Sequence, residues 1–153
     1  VNTAVFVALR NESGEYLLQR RKNTGFLDGH YDFSASGHVE AGESLHEAAV
    51  REASEEIGVK VNEQHLKLVH ILQNQASDPY TSFVFFCEQW EGEPKICEPE
   101  KCDDLGFFAT HALPERCTLG VRVVEATGFS EELTFSFTDK PSFDALVHAI
   151  SSE

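Results

Sequence analysis

Between Gly37 and Val59 the chain reads GHVEAGESLHEAAVREASEEIGV. The stretch from Ser44 to Ile57 is the clearest helix signal in the protein, and Gly58 stands where a helix stop is expected. Ala49, Val50, Ala53 and Ile57 form a stripe suited to packing on a sheet. Glu52, Glu55 and Glu56 stand at i, i+3 and i+4, so they share about a third of the helix circumference. Arg51 lies beside Glu55. Ala48 sits among the glutamates and is small enough to leave room for an approaching group.

Three carboxylates on one helix face repel one another. Two charges ~4 Å apart cost about 4 kcal/mol at an effective dielectric of 20. Glu55 and Glu56, near the helix C-terminus, also oppose the helix dipole. A cation reverses both penalties, and hard oxygen ligands suit Mg²⁺ or Mn²⁺.

Outward from this helix the pattern is mixed. On the N-terminal side, Val1–Arg10 reads as a strand, Asn11–Gly14 as a turn and Tyr16–Arg21 as a returning strand, which predicts a hairpin. Lys22–His30 reads as a loop, Tyr31–Ser36 as one strand and Gly37–Gly42 as a loop. On the C-terminal side, Lys60–Gln75 and Thr81–Trp90 read as long strands. Glu91–Asp104 reads as an acidic loop, Leu105–Ala109 as a short strand and Pro114–Ala126 as a helix. Phe143, Leu146, Val147 and Ile150 keep helical spacing, so a last helix is predicted over Pro141–Ser152. Helices do not alternate regularly with strands. The expected class is α+β, a sandwich with a mixed β-sheet.

The chain has 153 residues, 41% hydrophobic and 25% charged, which matches one globular domain over 1–153. No segment approaches the ~20 apolar residues of a membrane span. The numbering starts at Val1 and there is no Met, so the initiator was removed or left out. Val1–Leu9 leads straight into a polar turn and does not read as a secretory signal, so the expected location is cytoplasmic. The formal net charge of −14 argues against a long nucleic-acid partner, and not against a small phosphorylated one met through a cation. Cys87, Cys97, Cys102 and Cys117 have no metal-binding spacing and read as free thiols.

The fixed residues Gly37, Glu43, Arg51, Glu52, Glu55, Glu56 and Gly58 together form a string that resembles the Nudix box, G-x5-E-x7-R-E-U-x-E-E-x-G-U. Ala53 and Val59 stand at its aliphatic positions. The resemblance implies an α/β/α sandwich and a metal-dependent pyrophosphohydrolase of MutT type. Such an enzyme cleaves a diphosphate bond in a nucleoside diphosphate derivative or triphosphate by water attack at phosphorus. It implies that Glu52, Glu55 and Glu56, with the Gly37 carbonyl, hold Mg²⁺ or Mn²⁺. It implies also that Arg51 orients a glutamate and that Glu43 braces the box loop. Trp90-Glu91-Gly92-Glu93-Pro94 resembles the MutT-type loop that carries one more metal-binding or base glutamate. By spacing Glu98 is the closer match and Glu100 the fallback. Two alternatives stay open: a silent nucleotide-binding or sensor domain of the same family, and an enzyme similar to isopentenyl-diphosphate isomerase, whose branch YDFSASGHVEAG resembles. Quaternary structure is not written in the sequence. Similar proteins are frequently dimers, which leaves a homodimer open.

Other residues are candidates by type. Gln19-Arg20-Arg21-Lys22 is the basic cluster of an acidic chain. Strand alternation points Arg20 and Arg21 to opposite faces, so one of the two is expected to meet substrate phosphates. His38 follows the first box glycine, as a substrate contact or a structural residue. Phe26, Tyr31 and Phe33 are candidates for stacking on a base, with core packing the better account of at least two.

Overall fold

The computed structural model describes residues 2–75 and 78–152. Val1, the first residue of the predicted N-terminal strand, lies outside them. The elements are β1 (Asn2–Leu9), β2 (Tyr16–Arg21), β3 (Tyr31–Phe33), β4 (Ala35–His38), α1 (Leu45–Ile57), β5 (Leu66–Asn74), β6 (Tyr80–Cys87), β7 (Cys102–Phe108), α2 (Leu119–Ala126), β8 (Thr134–Thr138) and α3 (Lys140–Ser151). A short 3-10 turn, Glu63–His65, precedes β5.

β1 is the central fact of the architecture. Its residues are buried on both faces, as expected for a strand covered on two sides. Val5, Val7 and Leu9 pack with Phe85 and Cys87 of β6 and with Ala49, Ala53 and Ile57 of α1. Phe6 and Ala8 face the other way, with Val84 and Phe86 of β6 and Val121 and Val124 of α2. The period of two in β1 and β6 therefore makes two cores, each with its own helix. Burial of a side chain such as Ile57 contributes roughly 1.5–3 kcal/mol. The five-stranded sheet runs β4-β1-β6-β5-β8. It is mixed: β1 with β6 and β5 with β8 are parallel, and the other pairs are antiparallel. The fold is α+β, an α/β/α sandwich with a mixed β-sheet.

The predicted β1–β2 hairpin does not form. The turn is present, with Gly14 N donating to Asn11 O, but β2 belongs to a second sheet of order β3-β2-β7. A single bridge, Arg10 to Tyr16, joins the two arms. Both edges of β1 are taken by β4 and β6, whose pairings bury apolar side chains along its length. Tyr31–Ser36 is likewise not one strand. The chain breaks at Ser34 and passes from the small sheet to the large one. The buried Ser34 Oγ replaces the interrupted ladder: it donates to Val7 O at 2.7 Å and accepts from Leu9 N at 3.3 Å.

Further boundaries shift for local reasons. Gly37 and His38, expected in a loop, pair with Val5 and Ala4 as the end of β4. The strand expected from Lys60 starts at Leu66, after the turn that the Asn62 side chain caps by accepting from Gln64 N. β6 ends at Cys87, β7 starts at Cys102, and α2 starts at Leu119, later than Pro114. β8 was not expected: TFSFT puts its aromatic residues outward, with Phe135 69% and Phe137 63% exposed, and its polar residues inward. Thr134 Oγ1 and Ser136 Oγ meet the two ring nitrogens of buried His70 at 2.7 and 2.8 Å. A strand that pairs inward through hydroxyls lacks the usual apolar signal.

Candidate active site

The capped helix α1 positions the carboxylates. Ser44 Oγ accepts from Glu47 N at 3.0 Å and Glu47 Oε1 accepts from Ser44 N at 2.9 Å, a complete capping box. At the other end Gly58 takes the left-handed conformation, φ 68°, and its N–H donates to Ser54 O. The segment 91–101 docks on this end. Lys95 N donates to Ile57 O and Cys97 N to Glu56 O, which satisfies carbonyls that a helix terminus leaves free.

Arg51 is the hub. Its guanidinium binds Glu43 in a fork, Nε to Oε2 at 2.7 Å and Nη2 to Oε1 at 3.0 Å. Nη1 donates to Glu52 Oε1 at 2.7 Å and to Glu55 Oε2 at 3.3 Å, and Nη2 to His38 O at 3.0 Å. One side chain thereby ties the loop before α1, the end of β4 and the acidic face together. The surrounding carboxylates raise the Arg51 pKa further above its ordinary value, with the Glu43 hydrogen bonds first.

The three glutamates are not equivalent. Glu55 is exposed and turned to Arg51. Glu52 is buried, packed against Gly37. A Cβ at Gly37 would stand 2.7 Å from Glu52 Oε2 and closer still to Oε1, so any other residue there must displace the Glu52 carboxylate. Glu56 is half-buried and turned toward the sheet. It accepts from Gln19 Nε2 at 3.0 Å and from Ser36 N at 2.9 Å, and its carboxyl lies close enough to that of Glu52 for the two to influence each other's charge. Burial first, and the Glu52 carboxyl second, push the Glu56 pKa well above the usual carboxylate range. Ala48 is fully buried in the core, so its small size serves close helix–sheet contact and leaves no room for a ligand.

Among the described residues no three His, Cys, Asp or Glu side chains converge closely enough to hold one ion. Glu52 and Glu56 are paired, and Arg51 draws Glu55 aside. The donor chemistry still fits a hard divalent cation: carboxylate oxygens, two of them pressed together in a buried site at a cost that positive charge relieves.

A cleft of about 510 Å³ opens on the far side of β4, along Ser36, Gly37 and His38. It runs from Arg21 and Asp32 to Tyr80 of β6 and Phe143 of α3. Of the two arginines, Arg21 lines this cleft, and its side chain donates to Phe26 O at 2.7 Å and Thr24 Oγ1 at 2.9 Å. Arg20 is directed elsewhere, held by Asp103 at 2.6 Å and lying over the Tyr31 ring. A register irregularity between them sets their directions. His38 also lines the cleft. Phe26 is 40% exposed at its rim, whereas Phe33 is buried in the core. Tyr31 packs on Phe108, and its hydroxyl donates to Asp104. Glu98 is half-buried beside the α1 terminus, one residue past the Cys97–Glu56 backbone bond; Glu100 is exposed.

Gln19, Ser36 and Asp32 were missed by sequence reasoning. Gln19 and Ser36 act on Glu56 across sheets, at separations that no local pattern reports. Asp32 is fully buried; its pKa is raised by desolvation, against Arg21 and the hydrogen bonds from Phe33 N and Thr118. A lone acidic residue inside an aromatic strand was the available signal.

Residues 2–128 match the family described as NUDIX domain. The chain belongs to the Nudix family. Over 87 residues this Nudix protein is 34% identical to the 8-oxo-dGTP diphosphatase of Escherichia coli (strain K12), covering 56% of this chain and 65% of that protein. Over 57 residues it is 44% identical to the uncharacterized Nudix hydrolase YfcD of Shigella flexneri, covering 37% and 32%. The matched segments thus span less than two thirds of these relatives. The MutT NUDIX hydrolase of Burkholderia pseudomallei superposes with a TM-score of 0.75 at 24% identity, over 82% of this chain and 95% of that one. The MutT protein of Bacillus halodurans gives 0.72 at 20% identity, over 93% of both. These two likenesses establish the fold. No helix among the described residues is long and apolar enough to cross a membrane.

Proposed function

We propose that this Nudix protein hydrolyses a diphosphate bond in a nucleotide-like small molecule, acting as one domain over 1–153. The observation that carries the reading is the pairing of buried Glu52 with half-buried Glu56 directly behind the cleft edge formed by Ser36 and Gly37. Glu52, Glu55 and Glu56, with the Gly37 carbonyl and Glu98, are the residues that would hold Mg²⁺ or Mn²⁺. Such an ion neutralises phosphate oxygens and lowers the pKa of water. Arg51 keeps Glu52 and Glu55 oriented, and Glu43 keeps Arg51 in place. Gln19 and the Ser36 N–H hold Glu56 behind the cleft edge, and a bound cation, by offsetting the burial that raises its pKa, would return it to the anionic form that can take a proton from water. Arg21 and His38, at the same edge, meet the phosphates, and Arg20 is left out of this role. The similarity to the 8-oxo-dGTP diphosphatase supports a nucleotide substrate.

Turnover on a nucleotide panel is expected to require Mg²⁺ or Mn²⁺ and to stop with excess chelator. In ¹⁸O-labelled water one label should enter a phosphate-containing product. Label in a sugar or base fragment, or sustained turnover with chelator, removes this mechanism.

The docked segment 91–101 makes a separate expectation. Glu98→Gln should lower kcat more than Glu100→Gln, by up to roughly 10²-fold where Glu98 assists proton transfer. Equal, near-wild-type rates for both variants would return this segment to a purely structural role as the cap of α1.

A further inference from the structure

Residues 129–152 lie beyond the family-wide match, which ends at 128, and they fold into β8 and α3. This unit is seated firmly. Ile150 and Phe143 pack on Leu72 and Leu119, and His30 Nε2 donates to Ile150 O at 2.9 Å. Its inner face forms part of the cleft: Phe143 and Asp144 line it, and the Phe143 ring meets Tyr80 edge-on at 6.4 Å between centroids. On the β3 side stands the carboxylate of Asp32. Its Oδ1 accepts from Phe33 N at 2.8 Å and from Thr118 Oγ1 at 3.0 Å. Among the described residues its Oδ2 has only the Arg21 guanidinium, at 3.6 Å, beyond hydrogen-bond reach. An acceptor buried to this degree, inside an aromatic cleft and half used, is costly unless a donor meets it.

We propose that the C-terminal β8–α3 unit is a specificity wall. Phe143 closes the cleft on a planar heterocycle carried by the diphosphate substrate, and Asp32 Oδ2 selects a ring edge that presents N–H donors. This rests on the hydrolase reading for the phosphate end and adds the recognition of the other end. The chemistry is that of an apolar slot with one acceptor. Aromatic side chains take the faces of the ring, which every base offers, and the single oxygen discriminates by edge. Its two lone pairs suit adjacent N–H donors, as on the lactam–amino edge of guanine. The corresponding edge of adenine puts a ring-nitrogen lone pair against the carboxylate, which is repulsive.

Two measurements test this on the full chain. Calorimetry reads the binding of free guanosine and adenosine, without phosphates. Steady-state kinetics compare guanosine triphosphate with methyl triphosphate, which lacks a base. Guanosine should bind more tightly than adenosine. Phe143→Ala should weaken guanosine binding about 10-fold and raise KM for guanosine triphosphate in step, a larger effect than on methyl triphosphate. Phe143→Leu keeps the apolar anchor on Leu72 and Leu119 and removes the ring, so it gives the answer where the alanine variant does not fold. Wild-type guanosine affinity in the leucine variant, or equal affinity for both nucleosides, overturns the proposal. Methyl triphosphate turnover without any nucleoside binding also overturns it and leaves the diphosphate chemistry standing. Guanosine binding that is lost in Phe143→Leu, with neither triphosphate hydrolysed, supports the wall and removes the hydrolase reading.

Discussion

Glu56→Gln should lower kcat by roughly 10²–10⁴-fold while the protein keeps its fold and gains stability above neutral pH. The two halves of this expectation have different causes. The rate falls because the amide supplies neither a proton acceptor nor an anionic oxygen at the place where Gln19 and Ser36 hold the side chain. The stability follows from the direction of the pKa shift. Glu56 has a folded-state pKa raised above the ordinary 4.5, with burial as the main cause. A carboxyl raised on folding contributes stability fully below its unfolded pKa and loses it as pH rises through the folded one. In mildly alkaline solution the native protein therefore carries the cost of a buried charge next to Glu52, and the neutral amide does not. Thermal melts of both proteins without added divalent ion should show the variant higher at alkaline pH. The two should converge below pH 4.5, where the carboxyl is protonated in both states. A melting temperature that collapses at every pH would make Glu56 a structural residue.

Gly37→Ala is expected to remove activity and to destabilise the fold together, by about 1–3 kcal/mol as an overpacking change. Gly37 is not required for an unusual backbone angle. It is an ordinary member of β4, paired with Val5. The constraint is space: the Glu52 carboxylate fills the volume that a Cβ needs, and Glu52 is fixed there by Arg51 Nη1 at 2.7 Å. Alanine must push the carboxylate out of its pair with Glu56 or lift β4 from β1, and either movement opens the site. Ser36→Ala is the matched control. It keeps a Cβ and preserves the backbone N–H that binds Glu56, so its melting temperature and kcat should stay close to wild type. A stable, active Gly37→Ala variant would show that Glu52 moves freely and that its place against β4 is not part of the machinery.

The helix α1, its cap, its stop and its acidic face were legible in the sequence because each is encoded within one or two helical turns. Ser44 and Glu47 meet at three residues, Gly58 closes the last turn, and Arg51 reaches Glu52 and Glu55 on its own helix. The mixed class of the fold was legible for a similar reason, since periods of two and 3.6 are local. Strand partners were not. Asn11–Gly14 promises a hairpin, and the hairpin does not form because both edges of β1 are taken by β4 and β6. The break at Ser34, which sends one extended segment into two sheets, depends on the carbonyl of Val7, 27 residues away. β8 was invisible because its inward contacts are hydroxyls on a buried histidine. The same division holds in the site. By itself the sequence determined which carboxylates stand on one face and which arginine stands beside them. Only the tertiary structure decided that Gln19 and Ser36 grip Glu56, that Arg21 and not Arg20 reaches the cleft, and that Asp32 and Phe143 stand on its walls. Those relations cross between sheets and layers, where distance along the chain carries no information about distance in space.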